Sequence, residues 1–247
     1  MALYTTEALI LRTYKLNDAD RIVVFLTRDR GKKRGVAKGA RRLRSRFGAS
    51  LEPLTRVVVV YFEKENRELV SLNSVDTLRS PLFSKEPDAL SYVGYLAELT
   101  DECAQDSEPN ETLFRLGASV LEALAEPVPV ERLVRYFEYW VLRLQGVYPS
   151  VALCPRCGVN LETGARLASH ARVLTCRDCA PSAGGTTLSA QAVSFLRAAS
   201  RIAPRGLDAV DLNAGAAREL AAVHRALIAA LLEKDLRSSR VLREMHS

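Results

Sequence analysis

RIVVFLTRDRGKKRGVAKGARRLRSRFG, residues 21–48, combines two strand-like runs, a tight turn and a strongly basic loop. Arg21–Thr27 is rich in β-branched and aromatic residues, which favour the pleated, half-buried surface of a sheet. The polar residues Arg28–Gly31 turn the chain, and Lys33–Ala37 continues as a second strand. We therefore expect two paired strands here, with the basic loop leaving the end of the second one.

Further strand-like runs lie on both sides of this stretch. Thr5–Tyr14 precedes it, and Thr55–Phe62 and Leu69–Val75 follow it, with a charged hairpin at residues 63–68 between the last two. Five short strands thus lie within about 80 residues, and a small barrel is the economical way to remove sheet edges at that size. Five strands favour an OB-fold over the alternatives, an SH3-like barrel or an open sheet.

The turn, the second strand and the basic loop together form the most basic part of the chain. Ten Lys and Arg residues lie between Arg28 and Arg46, against a single acid, Asp29. So dense a block of like charge is often only a solvated loop, but a strand is predicted at each end of this one. Positive charge on a loop that is anchored at both ends favours binding of a polyanion such as a nucleic acid, because neutralising the phosphates releases counterions. We expect phosphate contacts from Lys32, Arg34, Lys38, Arg41, Arg42, Arg44 and Arg46. Stacking of bases on nearby aromatic rings is a further hypothesis, for Tyr14, Phe25, Phe47 and Tyr61.

The distribution of charge indicates the same division of the chain. The formal net charge is +6, yet residues 1–80 hold 17 Lys and Arg against 9 Asp and Glu, and the remainder has a small acidic excess. This asymmetry indicates a nucleic-acid-binding module joined to a part with another task. No apolar run is long enough for a membrane span, and no secretory signal is recognisable. We expect a cytoplasmic protein whose five cysteines stay reduced.

After Ser80 the hydrophobic pattern changes to a helical period. Apolar residues recur at three- and four-residue spacing and predict five helices, at residues 89–103, 113–124, 130–144, 189–202 and 213–235. Asp88 and Asn110 are suited to cap the first two helices. The predicted fold class is α+β, divided into an OB-fold barrel at 1–80, a helical domain at 81–153 and 181–247, and a cysteine-containing insertion at 154–180.

The cysteine-containing segment has the spacing of a metal site. Cys154 and Cys157 form one C-x₂-C pair, and Cys176 and Cys179 form a second, with eighteen residues between the pairs. Two residues between thiolates let a tight turn direct both sulfurs at one tetrahedral ion. Four thiolates leave no open position, so we predict one structural Zn²⁺ per chain. The alternatives are two disulfides, which a reducing compartment disfavours, a redox C-x-x-C, which would not be duplicated, and His170 in place of one cysteine.

Catalytic motifs are not recognisable in the sequence. Gly31–Lys33 lacks the upstream glycine and the following Ser or Thr of a phosphate-binding P-loop, and there is no G-x-S-x-G elbow. The three histidines, His170, His224 and His246, have no neighbour in sequence that indicates a general base. We therefore expect a binding protein and not an enzyme.

Two stretches carry a resemblance to a known family. Val36–Leu54, VAKGARRLRSRFGASLEPL, and His224–Leu242, HRALIAALLEKDLRSSRVL, are similar to segments of RecO, the bacterial recombination-mediator family of the RecF pathway. The first stretch resembles the signature around the family's third strand, and the second resembles its last helix and the Ser-Arg that follows. The resemblance implies a bacterial, nucleoid-associated protein that binds single- and double-stranded DNA and anneals complementary strands. It also implies binding to RecR and to the acidic C-terminal tail of single-strand-binding protein. Through these contacts a RecO protein helps RecA to replace single-strand-binding protein on DNA.

The implied tail has a candidate site on the third predicted helix. At about 100° per residue, four of its side chains fall within about 60° of one another and form one strip: Arg132, Tyr136, Tyr139 and Arg143. Guanidinium groups suit a carboxylate and aromatic rings suit an apolar side chain, whereas the alternative is an ordinary half-buried surface. Two other functions stay open: an RNA-binding OB-fold protein of ribosome or tRNA metabolism, and a nucleic-acid enzyme whose site is not recognisable.

Overall fold

The computed structural model describes residues 2–65, 67–84, 88–168, 173–180, 184–239 and 242, and the protein has the predicted α+β fold. The chain forms two compact units. Met1–Glu126 and Leu236–Ser247 make the first unit, and Pro127–Asp235 makes the second. The first unit carries the basic loop, and the second carries the four cysteines of the two C-x₂-C motifs.

The first unit is built on five strands: β1 (Ala2–Lys15), β2 (Arg21–Thr27), β3 (Lys32–Ala37), β4 (Arg56–Glu63) and β5 (Val70–Arg79). They close into a barrel in the order β1-β2-β3-β5-β4, with β4 also paired to β1. Every pair is antiparallel except β3 with β5. This is the predicted five-stranded barrel of the OB type, and the predicted strands differ from the observed ones only at their ends.

Side chains along each strand point alternately into and out of the barrel, and the inward-pointing ones fill its core. In β4, Val57, Val59 and Tyr61 are buried while the residues between them are only partly buried, as expected when successive side chains point to opposite faces. Phe47 and Leu51, from the segment between β3 and β4, are buried in the same hydrophobic cluster. The end of the basic loop therefore contributes to the core that supports it.

Two helices, α1 (Ala89–Cys103) and α2 (Glu111–Ala123), pack on the barrel. The contact between α2 and β1 is close, because a Cβ on Gly117 would lie 2.6 Å from Leu9 Cδ1. Asn110 caps α2 as predicted, since its side chain accepts a hydrogen bond from a backbone N–H of the first turn. These two helices belong to the same unit as the barrel, whereas the sequence pattern grouped them with the later three. Helical periodicity shows which face of a helix is apolar but not which element covers it.

The second unit contains α3 (Val130–Leu144), α4 (Ala190–Ala199) and α5 (Ala214–Leu232). Helix α5 contacts both α3 and α4, and it is followed by Glu233, whose φ of 55° is left-handed and ends the helix. A small antiparallel sheet that the sequence did not predict has the order β7-β6-β8. Its strands are β6 (Gly164–Leu167), β7 (Leu174–Thr175) and β8 (Thr186–Ser189). Among the described residues, no helix combines the length and apolar character needed to span a membrane.

Candidate nucleic-acid interface and metal centre

The basic loop, residues 38–47, leaves β3 and is fastened to the turn between β1 and β2. The backbone N–H of Gly39 donates to Asp20 Oδ1 at 2.8 Å, and the backbone N–H of Arg41 donates to a carbonyl of the same turn at 3.0 Å. The pKa of Asp20 is lowered, chiefly because the carboxylate accepts the Gly39 hydrogen bond. Phe47 is buried in the barrel core. The loop is thus held at both ends.

Positive charge on the basic loop faces solvent. Five of the predicted phosphate-binding side chains are exposed on it: Lys38, Arg41, Arg42, Arg44 and Arg46. Arg41 Nη1 donates to Asn17 O at 2.8 Å, which holds its guanidinium near the β1–β2 turn. The guanidinium of Arg46 lies 4.9 Å from the ring centroid of Phe47. The structure therefore brings these five cations together on one surface loop.

The other two predicted residues, Lys32 and Arg34, lie on β3. Lys32 is only 9% exposed, and its Nζ donates to Asp101 O at 2.7 Å and lies 3.1 Å from Asp101 Oδ1. A buried, paired ammonium would leave its partner uncompensated if it turned to a phosphate. This corrects the expectation for Lys32, which ties β3 to α1 instead. Arg34 is exposed and lies 3.3 Å from Asp106 in an ion pair.

Three of the four aromatic residues considered for base stacking are in the barrel core. Phe25, Phe47 and Tyr61 are buried, and the rings of Phe25 and Tyr61 meet edge to face at 5.8 Å. Burial raises the pKa of Tyr61 to about 12. These rings cannot receive a base, which corrects the stacking hypothesis for them, because a barrel this small uses its aromatic rings as core. Tyr14 is exposed near the end of β1.

Two tight turns position the four cysteines in the second unit. In the first turn, the backbone N–H of Cys154 donates to Val159 O and that of Gly158 donates to Cys154 O, both at 2.8 Å. Gly158 has a φ of 74°, a left-handed conformation that glycine adopts without the steric strain that a Cβ would cause. The second turn follows β7, and Arg156 Nη1 donates to Cys179 O at 3.1 Å. Arg156 thereby links the two turns.

The sulfur atoms form a set that fits one metal ion. All four Sγ atoms lie within 4.8 Å of one another, and none of these cysteines is in a disulfide. Bonds of about 2.3 Å to a tetrahedral Zn²⁺ separate the sulfurs by about 3.8 Å, and Cys157 Sγ lies 3.6 Å from Cys176 Sγ. Backbone N–H groups, that of Cys176 first, lower the pKa of Cys154 to about 6, whereas the neighbouring sulfurs of Cys157 and Cys176 raise the pKa of Cys179 to about 12, because like charges this close together disfavour ionisation. His170, the alternative ligand, lies outside the described residues.

The predicted strip on α3 is mostly interior. Tyr136 and Tyr139 are 6% and 1% exposed. Tyr136 Oη donates to Ile202 O at 3.3 Å, and Arg132 Nη1 donates to Leu207 O at 3.0 Å. Arg132 and Tyr136 thus connect α3 to the segment after α4, and the strip does not present one continuous surface.

Tyr139 and Arg143 of the strip both line an open pocket, and of the two only Arg143 is exposed. Its Nη1 donates to Tyr139 Oη at 2.9 Å, and its guanidinium lies 5.6 Å from the ring centroid of Trp140. The pocket beside it has a volume of about 470 Å³, and its lining includes Tyr148, Arg197 and Arg201. Arg197 also pairs with Glu162, so three guanidinium groups stand against one carboxylate, and this excess of positive charge suits an anion. Arg197 and Arg201 were not predictable from the sequence, because nothing in it shows that α4 packs beside α3.

A buried polar network lies next to this pocket. His224 on α5 is fully buried, with its Nδ1 2.8 Å from Glu138 Oε2 and its Nε2 2.9 Å from Tyr148 Oη. Glu138 also pairs with Arg135 at 3.2 Å. Burial lowers the pKa of His224, so the neutral ring is favoured. Sequence reasoning missed this network because Glu138 and His224 are 86 residues apart.

The barrel, the basic loop and the cysteine cluster together belong to a recognisable class. An OB-type barrel that presents a basic loop, in a chain with a four-cysteine cluster, is typical of nucleic-acid-binding proteins. Residues 1–81 match the family model described as Recombination protein O N terminal, and residues 84–240 match the model described as Recombination protein O C terminal. The chain therefore belongs to the Recombination protein O (RecO) family.

The chain is similar to several proteins named DNA repair protein RecO. It is 34% identical to the one from Geobacter metallireducens over 244 residues, which is 97% of each chain. It is 30% identical to the one from Syntrophus aciditrophicus over 250 residues, which is 99% of this chain and 96% of the relative. The match to the Koribacter versatilis protein, at 43% identity, extends over 159 residues, or 64% of each chain. The family resemblance stated from the sequence is thus confirmed.

Proposed function

We propose that the protein is a DNA repair and recombination mediator that binds single- and double-stranded DNA, anneals complementary strands and has no catalytic site of its own. The observation that carries the proposal is the basic loop, where five exposed cations are fastened to a barrel. Relatives named DNA repair protein RecO support DNA as the polyanion.

The proposed DNA contacts are with phosphates. These contacts come from the five exposed cations of the basic loop, Lys38, Arg41, Arg42, Arg44 and Arg46. Arg34 adds a sixth contact when a phosphate replaces Asp106 as its partner. Contacts of this kind are independent of base sequence and weaken steeply with salt. A loop that neutralises phosphates on two strands lowers the repulsion between them, which supports annealing.

Binding of matched nucleic acids tests the choice of DNA. Fluorescence anisotropy is measured with single-stranded DNA, duplex DNA and a hairpin RNA of equal length, all at one salt concentration. We expect both DNA forms to bind more tightly than the RNA. A clear preference for the hairpin RNA would instead support a protein of ribosome or tRNA metabolism.

We further propose that the protein acts with RecR to help RecA load on single-stranded DNA that is coated by single-strand-binding protein. Membership of the RecO family supports these partners. The acidic C-terminal tail of single-strand-binding protein binds beside Arg143, where the pocket with Arg197 and Arg201 offers guanidinium groups to its carboxylates. Arg132, Tyr136 and Tyr139 support this site from within the second unit.

A labelled tail peptide tests the pocket. Arg143→Ala removes an exposed guanidinium, and Arg218→Ala, an exposed arginine on α5, is the matched control. We expect the peptide Kd to rise about tenfold for Arg143→Ala, the loss of about one charge-assisted hydrogen bond, and to stay at the parent value for Arg218→Ala. Naked DNA should bind both variants like the parent. Parental peptide affinity in Arg143→Ala would remove this pocket as the tail site.

The cysteine cluster holds one structural Zn²⁺ in this proposal. Cys154, Cys157, Cys176 and Cys179 would be its four ligands, which fits the spacing of their sulfurs. The ion would supply folding free energy to a segment whose strands are short. It would have no open coordination position and therefore no catalytic role.

A further inference from the structure

The outer face of the barrel carries a groove that crosses β3, β5 and β4. The strand registers align three side chains in one row, because Val36 pairs with Ser71 and Ser71 pairs with Phe62. All three are partly exposed, whereas neighbouring strand residues such as Leu72 and Tyr61 are buried. Ser71 has the smallest side chain of the row, so the row is lowest at its centre and has Val36 and Phe62 as its walls.

The groove follows the seam between β3 and β5. On the inner side of this seam, a Cβ on Gly35 would lie 2.9 Å from Val70 Cγ2, so the two strands meet there at a glycine. Their pairing covers only two residue pairs, Gly35 with Val70 and Val36 with Ser71. The groove has a volume of about 600 Å³, and Leu69 adds apolar surface to its lining. Ligand sites are typically about 300–1,000 Å³, a range that includes a nucleotide.

Cations lie at both ends of the groove. Since β3 runs parallel to β5, Lys38 lies beyond Ser71 in the direction of β5, and the β4–β5 turn with Lys64 and Arg67 lies before it. All three cations line the groove and are exposed. Glu68 is the one acid among the described residues of the lining. The groove therefore has apolar walls and positive ends, and at Lys38 it continues into the basic loop.

We infer that this groove binds one base of single-stranded DNA, with Phe62 as the stacking surface and Lys38, Lys64 and Arg67 on the flanking phosphates. The inference rests on the proposed DNA binding. Stacking on an aromatic ring accepts any base, because every base has a π-face. The bases of a duplex are already paired and stacked and do not enter, whereas duplex phosphates still reach the basic loop. The groove thus favours single strands over duplexes.

Phe62→Ala tests the stacking surface. Its affinities for short oligo-dT and for a duplex of equal length are compared with those of the parent at one salt concentration. We expect the single-strand affinity to fall about tenfold or more and the duplex affinity to stay at the parent value. The matched control is Phe83→Ala, a phenylalanine that is 68% exposed and lies outside the groove, which should change neither affinity. An unchanged single-strand affinity in Phe62→Ala would overturn the inference, as would equal losses for both DNA forms.

A second variant keeps the test independent of barrel packing. Lys64→Ala/Arg67→Ala changes only exposed residues of the β4–β5 turn, and it should reduce the salt dependence of oligo-dT binding by about 1.4 in slope. Photo-crosslinking with an oligonucleotide that contains 5-iododeoxyuridine should label the parental peptide that holds Phe62. An unchanged slope with crosslinks confined to residues 38–47 would overturn the groove site but leave DNA binding intact. Failure of the proposed function is distinct, because the parent would then bind neither DNA form.

Discussion

Replacing Arg41, Arg42 and Arg44 together by alanine removes three of the five exposed cations of the basic loop. Each phosphate neutralised on a single strand contributes about 0.7 to the slope of log affinity against log salt, so three lost contacts flatten that slope by about 2.1. Between about 50 and 200 mM salt, the parent should therefore lose about 18-fold more affinity than the variant does. Asp20 and Phe47 still fasten the loop, and exposed charges contribute little to stability. The free energy of unfolding should change little.

Fluorescence anisotropy with a labelled oligonucleotide, repeated over a salt series, gives both slopes. The matched control, Arg115→Ala/Arg218→Ala/Arg225→Ala, removes the same charge from exposed helical positions outside the basic loop and should keep the parental slope, because the slope counts only the phosphates that are contacted. Oligonucleotides of different sequence should be weakened alike by the loop variant, since its lost contacts are with phosphates. Equal slopes for the loop variant and the control would refute the reasoning and put the DNA site elsewhere.

Three further predictions concern the stability of the fold. Cys176→Ser should lower the zinc content found by metal analysis and the midpoint of thermal unfolding together, by about 6–12 °C for a loss of about 3 kcal/mol; zinc-free parent protein with paired disulfides would contradict the metal site. Because burial lowers the pKa of His224, its neutral ring stabilises the fold above the unfolded-state pKa of about 6.5, and this stability is lost as the pH falls below that value. Urea denaturation of His224→Gln should show a weaker pH dependence in that range, and an identical dependence would remove His224 as its cause. A Cβ on Gly31, whose φ is 69°, would lie 2.4 Å from the Glu108 backbone, whereas one on Gly48 would meet nothing within 4 Å. Thermal unfolding should therefore show that Gly31→Ala lowers the free energy of unfolding by about 2 kcal/mol or more and Gly48→Ala by only about 1 kcal/mol. Equal losses would contradict the predicted steric clash and would mean that the backbone around Glu108 moves aside.

The barrel and the cysteine cluster are predictable because their signals are local. Each barrel strand is a run such as Thr55–Phe62, whose residue types favour strands before any partner is known, and five such runs in so short a segment leave few ways to close a sheet. The C-x₂-C pairs at Cys154 and Cys176 likewise carry their geometry in their spacing. Neither inference depends on a contact between distant parts of the chain.

The properties that were not predictable depend on such contacts. Lys32 has the same sequence character as Arg42, yet Asp101 of α1, which is 69 residues away, pairs with it and buries it. The partner of His224 and the arginines around Arg143 are equally remote in sequence. The row of Val36, Ser71 and Phe62 exists only through the strand registers, which the sequence pattern does not state.

Annealing of complementary strands that are coated with single-strand-binding protein, measured without ATP by the quenching of paired fluorophores, tests the proposed mediator function most directly. The parent is expected to accelerate annealing well above the rate of the coated strands alone. The variant with Arg41, Arg42 and Arg44 replaced by alanine is expected to lose most of that acceleration, while the helical control variant keeps it. A parent that leaves the annealing rate unchanged, or a loop variant that anneals as fast as the parent, would contradict the proposal that this loop presents DNA strands to each other.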